Sequence, residues 1–294
     1  MALLNAVLDV MRHEFKKKEP SWTTIPFVSQ TDLAYLEEEC SQPSDFDRLG
    51  ARKTMFQRFK AGTARYEVRR CEYGQVMAIY DDKEQHVPWG LWGRILRLYH
   101  ERGSKPAKVF LLAHPALREF PKSASHAIHS RRMNNSYPHI TPENINGGYT
   151  YHCNKQTIMM YRAEDATRVL IHELQHASCL DHTDNGVDQT EAETEAWAEL
   201  LYAGFLSKGN TPLFHQLIKR QSDWMQTQNA VVQQHLRKPM DFPWRYTIGK
   251  EAVWKRWGIL QPASIVKEAQ HSLRLTPPPT KELKEAFGVK STIL

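Results

Sequence analysis

Residues 169–177 read Val169-Leu170-Ile171-His172-Glu173-Leu174-Gln175-His176-Ala177, and no other stretch constrains the fold as strongly. Glu173 is its only acidic residue, and the apolar positions around it predict a buried helix over about Glu164 to Cys179. Residues four apart on a helix share a face, with Cβ atoms about 6 Å apart. His172 and His176 therefore project side by side and can hold one divalent ion, while Glu173 reaches a water beside it. This is the HExxH spacing. A shuffled chain with the same 14 histidines would contain about 0.05 such matches. Polar groups on a buried helix need partners, and a metal ion supplies one for both imidazoles.

Working outward, Gly147-Gly148 opens two short strand-like runs, 149–152 and 157–161, with a turn at Asn154-Lys155 and the helix directly after. Downstream, Gln189 to Ser207 predicts a second helix, with Thr190 and Glu193 placed as a capping box and an end at Lys208-Gly209-Asn210. Glu191, Glu195 and Glu199 fall on one stripe of it. Like charges at that spacing repel unless a cation is close, so one of them is expected on the metal while a neighbour orients a ligand histidine.

The stretch around HExxH resembles the active-site helix of the zincin metallopeptidases, with uncharged flanks and Val169 three positions before His172. The resemblance runs from about Phe110 to Ser207, roughly a third of the chain. It implies an α+β fold in which a mixed sheet packs on the HExxH helix. It also implies a cleft-side edge strand that binds peptide in extended form, expected at Thr157 to Tyr161. The cofactor would be Zn2+, and the reaction hydrolysis of a protein or peptide substrate with Glu173 as general base. Eighteen residues separate His176 from Glu195, the spacing of the gluzincin branch, so the implied ligand set is His172, His176 and Glu195. The aminopeptidase motif GxMEN is absent, which points to an endopeptidase.

His182 competes for the third position at the metzincin spacing, although Cys179 stands where that branch has glycine. Asp181, Asp184, Asp188 and Glu191 also remain open. Zincins often add an oxyanion donor from beyond the third ligand; Tyr246, His215 and Tyr202 are available, and Tyr246 is favoured because it closes the irregular aromatic stretch 242–246. The chain is also similar to HExxH proteins of phages and large DNA viruses. That similarity leaves room for virion association, or for an inactive zincin-like structural or binding protein in a larger assembly. A nucleic-acid-associated metalloprotease is a further alternative, through Arg131 and Arg132.

Composition sets wider bounds. With 294 residues, 41% hydrophobic and 24% charged, the chain can bury a substantial core. A net charge of +6 permits contact with nucleic acid without demanding it. Cys40, Cys71, Cys153 and Cys179 include no CxxC pair, which excludes a thiolate zinc finger and argues against a disulfide framework. Asp9 and Arg12 interrupt the first apolar run and three lysines follow it, the wrong order for a secretory signal, so a reducing, cytoplasmic location is expected. No run reaches the roughly 18 apolar residues of a membrane span, and neither GxxxxGK[ST] nor GxGxxG occurs.

Three regions are expected: 1–104 with helices and a hairpin turning at Tyr73-Gly74, a metallopeptidase core at 105–210, and a helical region at 211–294. The proline-broken stretch 114–146 holds His126, His129, Arg131, Arg132 and His139, and Pro277-Pro278-Pro279 precedes a short helix or partner-binding tail.

Overall fold

A computed structural model describes residues 2–101, 104–122, 137–290 and 292–294; His126, His129, Arg131 and Arg132 lie outside the described residues. The chain is α+β. Its sheet has six strands, β1 (Thr23–Ile25), β2 (Arg65–Cys71), β3 (Gly74–Tyr80), β4 (Ala107–Ala113), β5 (Gly148–Tyr149) and β6 (Ile158–Met160), in the order β1-β2-β3-β4-β6-β5. The sheet is mixed: β3, β4 and β6 run parallel, and the outer pairs are antiparallel. Side chains alternate across it. Val76, Ala78, Val109, Leu111, Ile158 and Met160 enter one core, while Met77, Ile79, Phe110, Leu112 and Met159 enter the other. Burial on both faces explains why β3 and β4 are continuous apolar runs rather than alternating ones.

Ten helices accompany the sheet among the described residues: α1 (Ala2–Lys16), α2 (Gln30–Ser41), α3 (Ala51–Lys60), α4 (Trp89–Leu98), α5 (Pro142–Ile145), α6 (Ala166–Ala177), α7 (Val187–Ser207), α8 (Thr211–Val232), α9 (Ile248–Arg256) and α10 (Lys281–Ala286). Helices α2 and α3 cover one face of the sheet through Leu36, Cys40, Met55 and Phe56. The motif helix α6 packs on the other, with Leu170, Ile171 and Leu174 fully buried, and α1, α4 and α7 complete that core. None of the described helices is long and apolar enough to cross a membrane.

Helix α6 starts without a side-chain cap, at Asp165 in the left-handed region. The first amides of a helix lack internal partners and need acceptors from elsewhere. Here the carbonyls of Thr292 and Ile293 accept from the Asp165 and Thr167 amides at 3.0 and 2.8 Å. The Thr167 hydroxyl also donates to the Ile293 carbonyl at 2.7 Å and accepts from the Trp92 indole. The last residues thus contain the expected short helix, α10, and after it a buried cap for the motif helix.

Two further expectations are corrected. Thr157 to Tyr161 does not form the edge strand: β6 lies between β4 and β5, and the edge is β5. Cys153 and Cys179 form a disulfide, because the connection between β5 and β6 folds back on the end of α6; Cys40 and Cys71 are buried and free. Packing runs continuously past residues 104 and 210. Strands β3 and β4 pair along seven registered positions across the first, and one core draws on all three regions.

Ile293 is fully buried against this core. Ile293→Ala is expected to lower the unfolding free energy by about 2–5 kcal/mol, read from urea denaturation curves.

Candidate metal centre

Helices α6 and α7 run antiparallel, joined by residues 178–186. Their facing stripes form a ladder of opposite polarity: Arg168, His172 and His176 on α6 meet Glu199, Glu195 and Glu191 on α7, in that order. Arg168 is buried between two carboxylates, with its Nε donating to Glu199 Oε1 at 2.9 Å and its guanidinium paired with Glu195. Lys250 from α9 holds the same Glu199 oxygen at 3.1 Å and is equally buried.

The next rungs leave room for an ion. His172 Nε2 and His176 Nε2 are 3.1 Å apart, and the Glu191 oxygens lie 3.5 and 3.7 Å from them. Donor atoms about 2 Å from a tetrahedral Zn2+ stand about 3.3 Å from one another, so the set has the right size. Among the described residues, His172, His176 and Glu191 are the group whose donor atoms converge in this way. The far nitrogens fit as well. His176 Nδ1 donates to Asp181 Oδ2 at 2.7 Å, and His172 Nδ1 faces Glu195 Oε1 at 3.1 Å. A proton held at Nδ1 leaves the Nε2 lone pair free for a metal.

The structure brings the two expected histidines together and sets Glu191, rather than Glu195, beside their Nε2 atoms. Glu195, the expected third ligand, stands behind His172 and is held by Arg168; Glu191, one turn earlier on α7, faces the Nε2 atoms. The connecting turn is tight enough that 14 residues, not 18, separate His176 from the facing carboxylate. His182 is exposed, and its carbonyl accepts from the Thr190 hydroxyl. That bond replaces the expected capping box, since α7 begins at Val187 after Gly186. Asp184 is also exposed, Asp188 pairs with Arg245, and Asp181 supports His176 from behind.

These side chains line a cleft of about 90 Å3 that opens to solvent. Gly147, Gly148, Tyr149 and Thr150 form one wall, and Tyr246, ending a 3-10 turn over Phe242–Tyr246, lies on the lining with Glu173 and Glu191. Tyr202 and His215 are not on this lining. His139 is turned away, toward Asp241 at 3.3 Å. Phe46, more than half exposed, stacks on Tyr149 at the rim. Gly148 has to be small: a Cβ there would stand 3.0 Å from Glu173 Oε1 and 2.8 Å from Val169 Cγ1. The strand edge and the Glu173 carboxylate are in near contact for that reason.

Burial dominates the electrostatics. It raises the Glu173 carboxyl to about 8, against the opposing influence of His176, and lowers the His172 imidazole to about 4. For His176 burial acts downward but Glu191, Glu173 and Asp181 outweigh it, lifting the imidazole to about 9. Glu191 is held well below the carboxylate range, because hydrogen bonds from both histidines outweigh its burial.

Comparison with protein-family models, with curated proteins and with solved structures returned no match.

In the metal-free protein Glu173 keeps its proton to about pH 8, whereas the unfolded chain releases it near 4.5. The folded state binds more protons between those values, so this group makes stability fall as pH rises through that window. The thermal midpoint of metal-free Glu173→Gln is expected to decline less than that of the wild type between about pH 5 and pH 8. Parallel curves for the two proteins would contradict it.

Proposed function

We propose that the protein is a zinc-dependent metallopeptidase in which His172, His176 and Glu191 hold the ion and Glu173 is the general base. The observation that carries this reading is Glu173. It is 4% exposed, lines the cleft, and forms no salt bridge among the described residues. A site that merely held a metal for structure would need the two imidazoles but not an unpaired buried carboxyl, which costs folding stability.

When bound, Zn2+ lowers the pKa of a water toward about 7 and polarises a carbonyl. The chain supplies the rest. Glu173 takes a proton from the attacking water and delivers it to the departing amine. Tyr246 is available to donate its hydroxyl to the developing oxyanion. The outer edge of β5, at Gly148 and Tyr149, pairs with no further strand among the described residues and can take an extended peptide by main-chain hydrogen bonds, which favours a protein or peptide substrate. Asp181 fixes the His176 ring by its hydrogen bond, and Glu195 stands 3.1 Å from His172 Nδ1.

Zinc content and casein cleavage test the reading. Glu173→Gln is expected to keep stoichiometric zinc while turnover falls about 100- to 10,000-fold. Glu191→Ala is expected to lose zinc, whereas Glu195→Ala weakens affinity about 10- to 100-fold, the usual effect of removing an orienting carboxylate. Zinc bound at the wild-type level with no cleavage of any substrate would instead support a catalytically inactive, zincin-like binding protein. Zinc lost from Glu195→Ala but retained by Glu191→Ala would return the third-ligand role to Glu195.

A further inference from the structure

The Cys153–Cys179 disulfide stands three residues beyond His176 and on the solvent side of it, and both cysteines are exposed. Three other contacts converge on the same place. The Cys153 amide donates to the His176 carbonyl at 2.9 Å. His152 Nε2 lies 3.0 Å from Asp181 Oδ1, and Asp181 Oδ2 accepts from His176 Nδ1 at 2.7 Å. Cys179 takes the left-handed conformation that glycine usually supplies after a helix, with the Leu180 amide donating to the Gln175 carbonyl at 3.0 Å. The covalent link thus ties the loop carrying His152 to the turn carrying Asp181. Asp181, held by both, fixes the ring of His176.

We infer that this disulfide is a site of thiol–disulfide exchange whose redox state sets how tightly the metal centre holds its ion. The inference rests on the metal-binding reading above. The reductant is a dithiol. One of its thiolates attacks Cys179 Sγ, forming a mixed disulfide and breaking the bond to Cys153. The Cys153 sulfur leaves beside His152 Nδ1, 3.3 Å away, and is protonated. The second reductant thiol then displaces the Cys179 sulfur, so two electrons and two protons pass to the protein and the reductant leaves as its own disulfide. Without the link, the 150–157 loop and the 178–186 turn are free to separate, and Asp181 loses its fixed approach to His176.

Zinc affinity, measured with Zn2+ alone against a chromophoric chelator, tests this on the full chain. The oxidised protein is compared with protein reduced by a phosphine and desalted. Reduction is expected to weaken zinc binding about 10-fold or more, the scale of losing an orienting carboxylate. The C153S/C179S double variant should match the reduced protein and ignore the phosphine, with its folding checked by circular dichroism. Asp181→Asn should weaken affinity in the oxidised state and remove most of the response to reduction. Equal affinity in the oxidised and reduced wild type overturns the proposal, as does a second zinc equivalent taken up by the freed thiols, or failure of the two cysteines to resist alkylation under oxidising conditions. Absence of zinc binding in every state overturns the metal-binding reading as well, so the two failures are distinguishable.

Discussion

Arg168 is a cation buried at 1% exposure in the middle of the packed helices, and the rest of the site depends on that. A buried guanidinium left unpaired would destabilise the fold by several kcal/mol, about 3–5 for a broken buried pair. Glu195 and Glu199 meet that requirement, and Lys250 supplies the second cation that two adjacent carboxylates need. The pairing fixes the rotation and the axial position of α7 against α6. Once Arg168 stands between Glu195 and Glu199, Glu191 has no choice but to face His176 and the near edge of His172. The metal-sized gap between the Nε2 atoms is the rung of this ladder that lacks a cation of its own.

That constraint also explains what the sequence revealed and what it concealed. The motif helix, the strands ahead of it and the glutamate stripe on α7 were legible because local spacing carries them: His172 with His176, Val76 to Tyr80, and Glu191 with Glu195 and Glu199. The stripe calls for a cation, and two protein cations, Arg168 and Lys250, stand against its Glu195–Glu199 end. Arg168 was the signal that could have shown this. It lies four residues before His172, on the same face, and opposes the far end of an antiparallel partner. Counting residues along the connection favoured Glu195; counting charges across the two stripes favours Glu191.

Other features were out of reach for a different reason. The Cys153–Cys179 pair and the near contact of Gly148 with Glu173 join positions 26 and 25 residues apart, through a turn whose path no periodicity announces. The edge strand was misplaced because β5 is only two residues long, too short to display alternation, whereas the Ile158–Met160 run looked like a strand and lay inside the sheet. Tyr246 came within reach only because the chain returns to the cleft after α8.

The cap on α6 has a consequence for the order in which the protein is made. The Thr167 hydroxyl and its acceptor, the Ile293 carbonyl, are 126 positions apart. During synthesis the motif helix leaves the ribosome long before its last hydrogen-bond acceptors exist, and its first turn must wait for them. A nascent chain would carry both histidines and Glu173 while the helix that aligns them is still frayed at its start. Alignment of the two histidines with Glu173 would then wait until Thr292 and Ile293 have been made.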